Sequence, residues 1–219
     1  MSDFSSNNSE FDQNLLRIWA RILSSLPPPK TILVTSSVFG EGCTTVATHL
    51  ASIRTKACNE KILLIESHVK NSSSSCDSPL SESPGLSDIL FKGVSLEEVI
   101  RPSTLQNLHC LGPGLETLGS LSLPKVEALK QLLQKAKERY DFILFDGPPV
   151  LEYPEIGILA NQFEGTLLVI QANKTTRGDV ERATRVILNV GGKLIGCILN
   201  RKQNFVPKRI YQKYVGSDL

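Results

Sequence analysis

Between an apolar run at Ile32-Leu33-Val34 and a stretch of helical pattern, the chain carries Gly40-Glu41-Gly42-Cys43-Thr44-Thr45. Glycine at 40 and 42 lets the backbone curl so that successive N–H groups face one point. A helix starting there adds partial positive charge. This is the chemistry of a phosphate cradle. Loops of this kind place a lysine where Cys43 stands, and that lysine reaches the β- and γ-phosphates. The shape of the cradle is therefore kept and its main positive charge is not. Thr44 is placed to offer a hydroxyl to Mg²⁺, and Thr45 to bond the α-phosphate. Without that chemistry, the same residues make an ordinary strand–turn–helix connection.

Acidic groups follow two other apolar runs. Glu66 and His68 come after Lys61–Ile65, and Asp146 comes after Phe142–Phe145 and before Gly147-Pro148-Pro149. Cys43 has two readings. It is a small residue filling a lysine's place, or a thiol made reactive by the N–H groups of a helix N-terminus. Glu41 is a loop residue of the site, or simply solvent-exposed. His49 reads as a surface or packing residue, and His109 falls in a short expected strand with no partner visible in the sequence.

These groups need elements that bring them together. Residues 1–9 are polar and without periodicity, and read as disordered. Residues 10–29 read as an amphipathic helix closed by Pro27-Pro28-Pro29, with Phe11, Leu15, Ile18, Trp19, Ile22 and Leu23 at helical spacing. That stripe is a packing face for the domain or for a partner. From residue 30 to 219 strand and helix alternate. Strands are expected at 31–35, 61–65, 108–111, 142–145, 166–170 and 194–199. Helices are expected at 44–56, 85–90, 96–100, around 126–136, 155–161 and 179–190, with a mobile loop at 67–83. Alternation of this kind implies parallel pairing with right-handed crossovers, hence an open α/β sheet with helices on both faces. Ligands in such sheets sit beyond the carboxyl ends of the strands. Residues 40–45, 66–68 and 146–149 all lie at such ends and should share one cleft.

Composition narrows the class. A net charge of +2 gives no case for nucleic acid as a bulk partner. The late basic residues Arg201, Lys202, Lys208, Arg209 and Lys213 read as a solvated surface or as an anionic docking patch. Cys43, Cys58, Cys76, Cys110 and Cys197 form no CxxC pair, which argues against a zinc site or a disulfide framework and for a reducing cytosol. No apolar run is long enough to span a bilayer and the N-terminus has no signal-peptide character, so membrane association is expected only through a partner.

From Glu10 to about Tyr214 the sequence resembles the cytoplasmic tyrosine kinases of bacterial capsule and exopolysaccharide export, within the deviant-Walker P-loop ATPases. The resemblance rests on KTILVTSSVFGEGCTTVATHLA, KILLIESHVKN, PGLSDIL at Pro84–Leu90, YDFILFDGPPVLE, EGTLLVIQANKTTRGDVERA and KLIGCILNR. It implies a P-loop NTPase-like three-layer fold with a mostly parallel central sheet. It implies ATP or ADP with Mg as cofactor, bound by Gly40, Glu41, Gly42, Cys43, Thr44 and Thr45. Asn200 stands where the family contacts the adenine ring, with Arg201 beside it, and Thr44 and Asp146 are the implied metal ligands. The implied partners are a transmembrane polysaccharide co-polymerase or an active kinase paralogue, with a homo-oligomer left open. The implied location is cytoplasmic, at the inner membrane through that partner.

The departures from the family pattern weigh as much. Cys43 replaces the loop lysine. Val38 and Phe39 stand where partition-type ATPases carry Lys-Gly. Glu66 and His68 replace two aspartates, so Glu66 and Asp146 are the remnant catalytic acids. The N-terminal Glu-x-x-Arg-x-x-Arg assembly motif appears as Glu10, Gln13 and Leu16, and the tail holds only Tyr211 and Tyr214. Phosphoryl transfer depends on positioning and on neutralising charge at the γ-phosphate, so nucleotide binding is expected to be weak or absent. The sequence reads as a degenerate relative with a regulatory or scaffolding role. The alternative is an active ATP-dependent tyrosine autokinase using Thr44, Glu66 and Asp146 around Mg²⁺. A partition-type ATPase switch fits least.

Overall fold

The computed structural model describes residues 3–67, 84–114 and 123–202. His68, the rest of the expected mobile loop and the tail with Tyr211 and Tyr214 lie outside them. One sheet holds β1 (Thr31–Ser36), β2 (Ile62–Glu66), β3 (Arg101–Pro102), β4 (Leu108–Leu111), β5 (Phe142–Asp146), β6 (Gly165–Gln171) and β7 (Leu194–Asn200). Their order is β3-β4-β2-β5-β1-β6-β7, parallel throughout except for the short β3–β4 pair at one edge. The helices are α1 (Asp3–Leu23), α2 (Cys43–Cys58), α3 (Leu86–Lys92), α4 (Leu96–Val99), α5 (Leu123–Lys137), α6 (Pro154–Ala160) and α7 (Arg177–Asn189).

Strand alternation splits the core into two layers. Leu33, Leu63, Ile65, Ile143, Phe145 and Leu168 face α3 to α7. Ile32, Val34, Ile62, Leu64, Leu144 and Leu167 face α1 and α2. The central strands are buried on both faces, which is why they read as continuous apolar runs rather than alternating ones. The fold is the three-layer α/β arrangement expected from the sequence.

Two expectations need correction. Helix α1 begins at Asp3, whereas residues 1–9 read as disordered. Extending an existing helix adds one bond per residue fixed, so a polar stretch can continue it without an apolar face. The stripe from Phe11 marks where packing starts, not where the helix starts. Second, Cys110 is disulfide-bonded, although the cysteine spacing argued against disulfides. Spacing along the chain tests for local chelating pairs and says nothing about cysteines brought together through space. Cys43, Cys58 and Cys197 are free thiols.

The stripe on α1 packs on the domain itself. Leu15, Trp19 and Ile22 are buried. The Trp19 indole N–H donates to the Leu50 carbonyl at 2.9 Å, and its ring meets Phe142 edge-on with centroids 4.9 Å apart. The Arg54 guanidinium lies 5.4 Å from the Trp19 ring and pairs with Glu60. Truncating a buried tryptophan of this kind typically costs about 3–5 kcal/mol. Helix α1 is thus held beside α2, the helix that follows the Gly40–Gly42 turn.

At the far side of the sheet, Pro84–Leu90 forms a tight lock. The Gly85 N–H donates to the Asp88 carboxylate at 2.9 Å, and Leu86 N–H donates to the Gly112 carbonyl at 2.8 Å. A Cβ on Gly85 would stand 2.4 Å from Gly112 oxygen, so only glycine permits this backbone approach. The Lys92 ammonium, with the Gly85 N–H, holds the Asp88 carboxyl below its ordinary range.

Candidate nucleotide site

The β1–α2 loop is built from left-handed glycines. Gly40 has φ +85° and Gly42 has φ +90°. Gly42 precedes α2, so the N-terminus of this long helix opens directly from the turn. Both positive φ values disfavour an L-residue, and at Gly42 space excludes a side chain as well. A Cβ on Gly42 would lie 2.3 Å from the Asn200 side-chain nitrogen, and one on Gly40 would lie 3.5 Å from the Lys174 ammonium.

The first part of the loop is held by carboxylates of the protein. Glu41 turns inward and is 1% exposed, which overturns the reading of it as a solvated residue. Its Oε2 accepts from the N–H groups of Ser37 at 2.6 Å and Val38 at 3.1 Å, and its Oε1 accepts from the Thr175 hydroxyl. Glu152 accepts from the N–H of Phe39 at 2.9 Å. The physical reason is hydrogen-bond satisfaction: buried backbone donors need acceptors, and a carboxylate supplies several from one side chain.

Cys43 does not project into the cradle. Its sulfur is buried, 3.3 Å from the Val34 carbonyl and 3.6 Å from the Gly147 carbonyl, among the apolar side chains between α2 and the sheet. The thiol donates to the carboxyl ends of β1 and β5. The side chain at this position is an inward packing contact.

The three acid and hydroxyl groups expected to meet do so. Glu66 and Asp146 are register partners on adjacent parallel strands, so their side chains share one face, the face covered by α2. The Thr44 hydroxyl donates to the Asp146 carboxylate at 2.5 Å. Ser67, unremarked in the sequence, donates through its hydroxyl to the Asp146 carbonyl at 2.6 Å, next to the end of β2. Among the described residues no group of three or more His, Cys, Asp or Glu is disposed to hold a metal, so a Mg²⁺ here would rely on Thr44, Asp146 and the nucleotide itself. The Pro-Pro turn is fastened to β1 by the Thr35 hydroxyl, which donates to the Pro148 carbonyl at 2.7 Å.

Asn200 closes the opposite wall. Its amide donates to the Glu41 carbonyl at 2.8 Å. It also lines a cleft of about 800 Å³ between α1 and the end of β7, shared with Arg201, Lys202, Phe11 and Arg17. None of Gly40 to Thr45 lines that cleft, which is open along one side. Arg201 reaches Gln171 at 3.4 Å, so the structure places it beside the loop but not in its turn. Thr45 lies at the start of α2, where its carbonyl meets His49 at 2.7 Å, and His49 packs edge-on against Phe11 as a surface contact. At the rim, Phe39 and Tyr153 form an exposed edge-to-face pair with centroids 5.8 Å apart.

Sequence reasoning missed Glu152, Thr175 and Lys174. The signal was present. The segment after β6 is a fourth carboxyl end of a strand, and by the same rule that gathered the other three it belongs at the cleft.

Residues 29–194 match the AAA domain family. The tyrosine-protein kinase YwqD of Bacillus subtilis is 30% identical over 174 residues, 80% of this chain and 73% of the relative. The chain belongs to the bacterial tyrosine-kinase family. The crystal structure of the chimerical protein CapA2B2 shares the fold, with a TM-score of 0.72 at 22% identity, covering 88% of this chain and 85% of the other. The septum site-determining protein MinD of Pyrococcus horikoshii, complexed with Mg-ADP, shares the fold at a TM-score of 0.56 and 21% identity, covering 86% and 77%. The tyrosine-kinase family is thus joined by its fold to proteins that bind nucleotide with magnesium. No helix among the described residues is long and apolar enough to cross a membrane.

Proposed function

We propose that this member of the tyrosine-kinase family is a regulatory or scaffolding subunit of exopolysaccharide or capsule biosynthesis, whose nucleotide site no longer transfers phosphate. The observation that carries the reading is the inward thiol of Cys43, donating to the Val34 and Gly147 carbonyls where the family has a phosphate-directed lysine. Losing one donor to developing charge typically lowers rate by about 10²–10³. The loop still holds its turn because Glu41 and Glu152, not a phosphate, satisfy its first N–H groups. Such a protein docks through its surface on a transmembrane co-polymerase or on an active kinase of the same family, at the cytoplasmic side of the inner membrane. ATP or ADP with Mg²⁺ would bind weakly and stabilise the docking form rather than react.

One observation favours the alternative, an active autokinase. Thr44 donates to the Asp146 carboxylate, and Glu66 is its register neighbour on the same sheet face, which supports a reading of the three around Mg²⁺ with the nucleotide. Complementation separates the two readings. Asp146→Asn keeps an acceptor for Thr44 but removes the metal-binding charge. A strain carrying it is expected to export polymer at the native level. A drop of about tenfold or more, with the variant folded and present in native amount, would favour catalysis.

A further inference from the structure

We propose that Lys174 supplies the cation that Cys43 does not, reaching the phosphate cradle from the β6–α7 turn instead of from within the loop. This rests on the reading of the loop as a nucleotide site. The turn is anchored on the cradle: the hydroxyl of Thr175, the next residue, donates to the buried Glu41 carboxylate and accepts from the Gln171 N–H at 2.9 Å. Asn173, on the other side of Lys174, takes φ +61°, and the N–H groups of Lys174 and Thr175 both return to the Gln171 carbonyl. A backbone fixed so closely delivers the Lys174 side chain over the loop. Its ammonium donates to the Phe39 carbonyl at 3.3 Å and lies 3.5 Å from where a Gly40 side chain would begin.

The electrostatics need such a charge. Glu41 and Glu152 already place two carboxylates against the same loop. A triphosphate entering there without a lysine from position 43 meets these two carboxylates, and Lys174 is the cation in contact with the loop. An ammonium carries three protons, and the Phe39 carbonyl takes one. Because its stem is flexible, the ammonium can move from a carbonyl of the loop to a phosphate oxygen held by that loop. Gly40, left-handed and without a side chain, leaves that path open.

The test is calorimetric titration of the full chain with Mg-ATP and, separately, with adenosine. The set compares the native protein with Lys174→Met, Lys174→Arg, Cys43→Lys and the double variant Cys43→Lys/Lys174→Met. Lys174→Met is expected to weaken Mg-ATP about tenfold or more, the loss of one charge-assisted bond, and to change adenosine by less than about twofold. Lys174→Arg is expected to retain most of the affinity. In the Cys43→Lys background the penalty for losing Lys174 is expected to shrink below about threefold, because two cations then serve one phosphate. Equal Mg-ATP affinity in native and Lys174→Met protein would overturn the proposal. So would an equal loss for ATP and adenosine, the mark of a lysine that only caps Phe39, or a native chain that binds no Mg-ATP. Tyrosine phosphorylation measured on the same samples reports separately. Its appearance would sink the scaffold reading and leave Lys174 in place.

Discussion

The two halves of the β1–α2 loop are built on opposite plans. From Ser37 to Phe39, the backbone N–H groups are bound by the protein's own carboxylates, Glu41 and Glu152. From Gly40 to Thr45, the chain turns through two left-handed glycines into α2, with Asn200 and Lys174 leaning on it from β7 and from beyond β6. The first half is complete without a ligand. The second is shaped by what surrounds it and by what it could hold. The difference explains how the loop holds its path with cysteine at position 43: Glu41 and Glu152 fix its first half.

The largest test of this contrast is Glu41→Ala. It leaves two buried N–H groups and the Thr175 hydroxyl without their acceptor, at about 1–3 kcal/mol each in principle and less after relaxation. Loss of roughly 3 kcal/mol of stability in urea unfolding is expected, and a loss below about 0.5 kcal/mol would mean the first half is not self-supporting. Cys43→Lys should act on the second half instead, raising Mg-ATP affinity by about tenfold or more while unfolding less stably, because a lysine stem cannot replace the thiol's contacts with Val34 and Gly147. Unchanged affinity would mean the cradle itself is misshapen. Gly42→Ala forces an L-residue into φ +90° and drives a methyl into the Asn200 amide, for about 1–2 kcal/mol. Adding Asn200→Ala should return the steric part of that cost and not the backbone part. Full recovery, or none, would show that only one of the two operates.

The smallest expected effect is a control far from the loop. The Asp88 carboxyl is held below its ordinary range by Lys92 and Gly85, so it contributes stability above the unfolded carboxylate pKa of about 4, and that contribution is lost as pH falls through its folded value. Asp88→Asn should flatten the acid limb of a stability-against-pH curve below about pH 4 and leave Mg-ATP affinity unchanged. An altered affinity would tie the Gly85 lock to the site, against the division drawn here.

Much of this was legible before any coordinates. Apolar runs such as Ile62–Ile65 and Phe142–Phe145 name buried parallel strands because both of their faces are covered, and helix–strand alternation then fixes where their carboxyl ends go. That placed Glu66, Asp146 and Thr44 together. Direction of side chains was not legible. Nothing in Gly-Glu-Gly-Cys says that Glu41 folds under its own loop or that Cys43 points at β1, since both follow from which backbone donors and acceptors lie within reach in space. Lys174 and Glu152 follow carboxyl ends of strands that the same rule sends to the cleft, but that rule does not say which side chain there reaches the loop. The β3 edge, two residues long, carries too little pattern to be read at all.

The central claim is that the cradle outlives its chemistry. Incubation of the purified chain with labelled Mg-ATP, followed by mass spectrometry of Tyr211 and Tyr214, tests it most directly. The absence of phosphotyrosine in a sample that binds nucleotide is the expected result. Stoichiometric phosphotyrosine formed by the native chain alone, and abolished by Asp146→Asn, would contradict it.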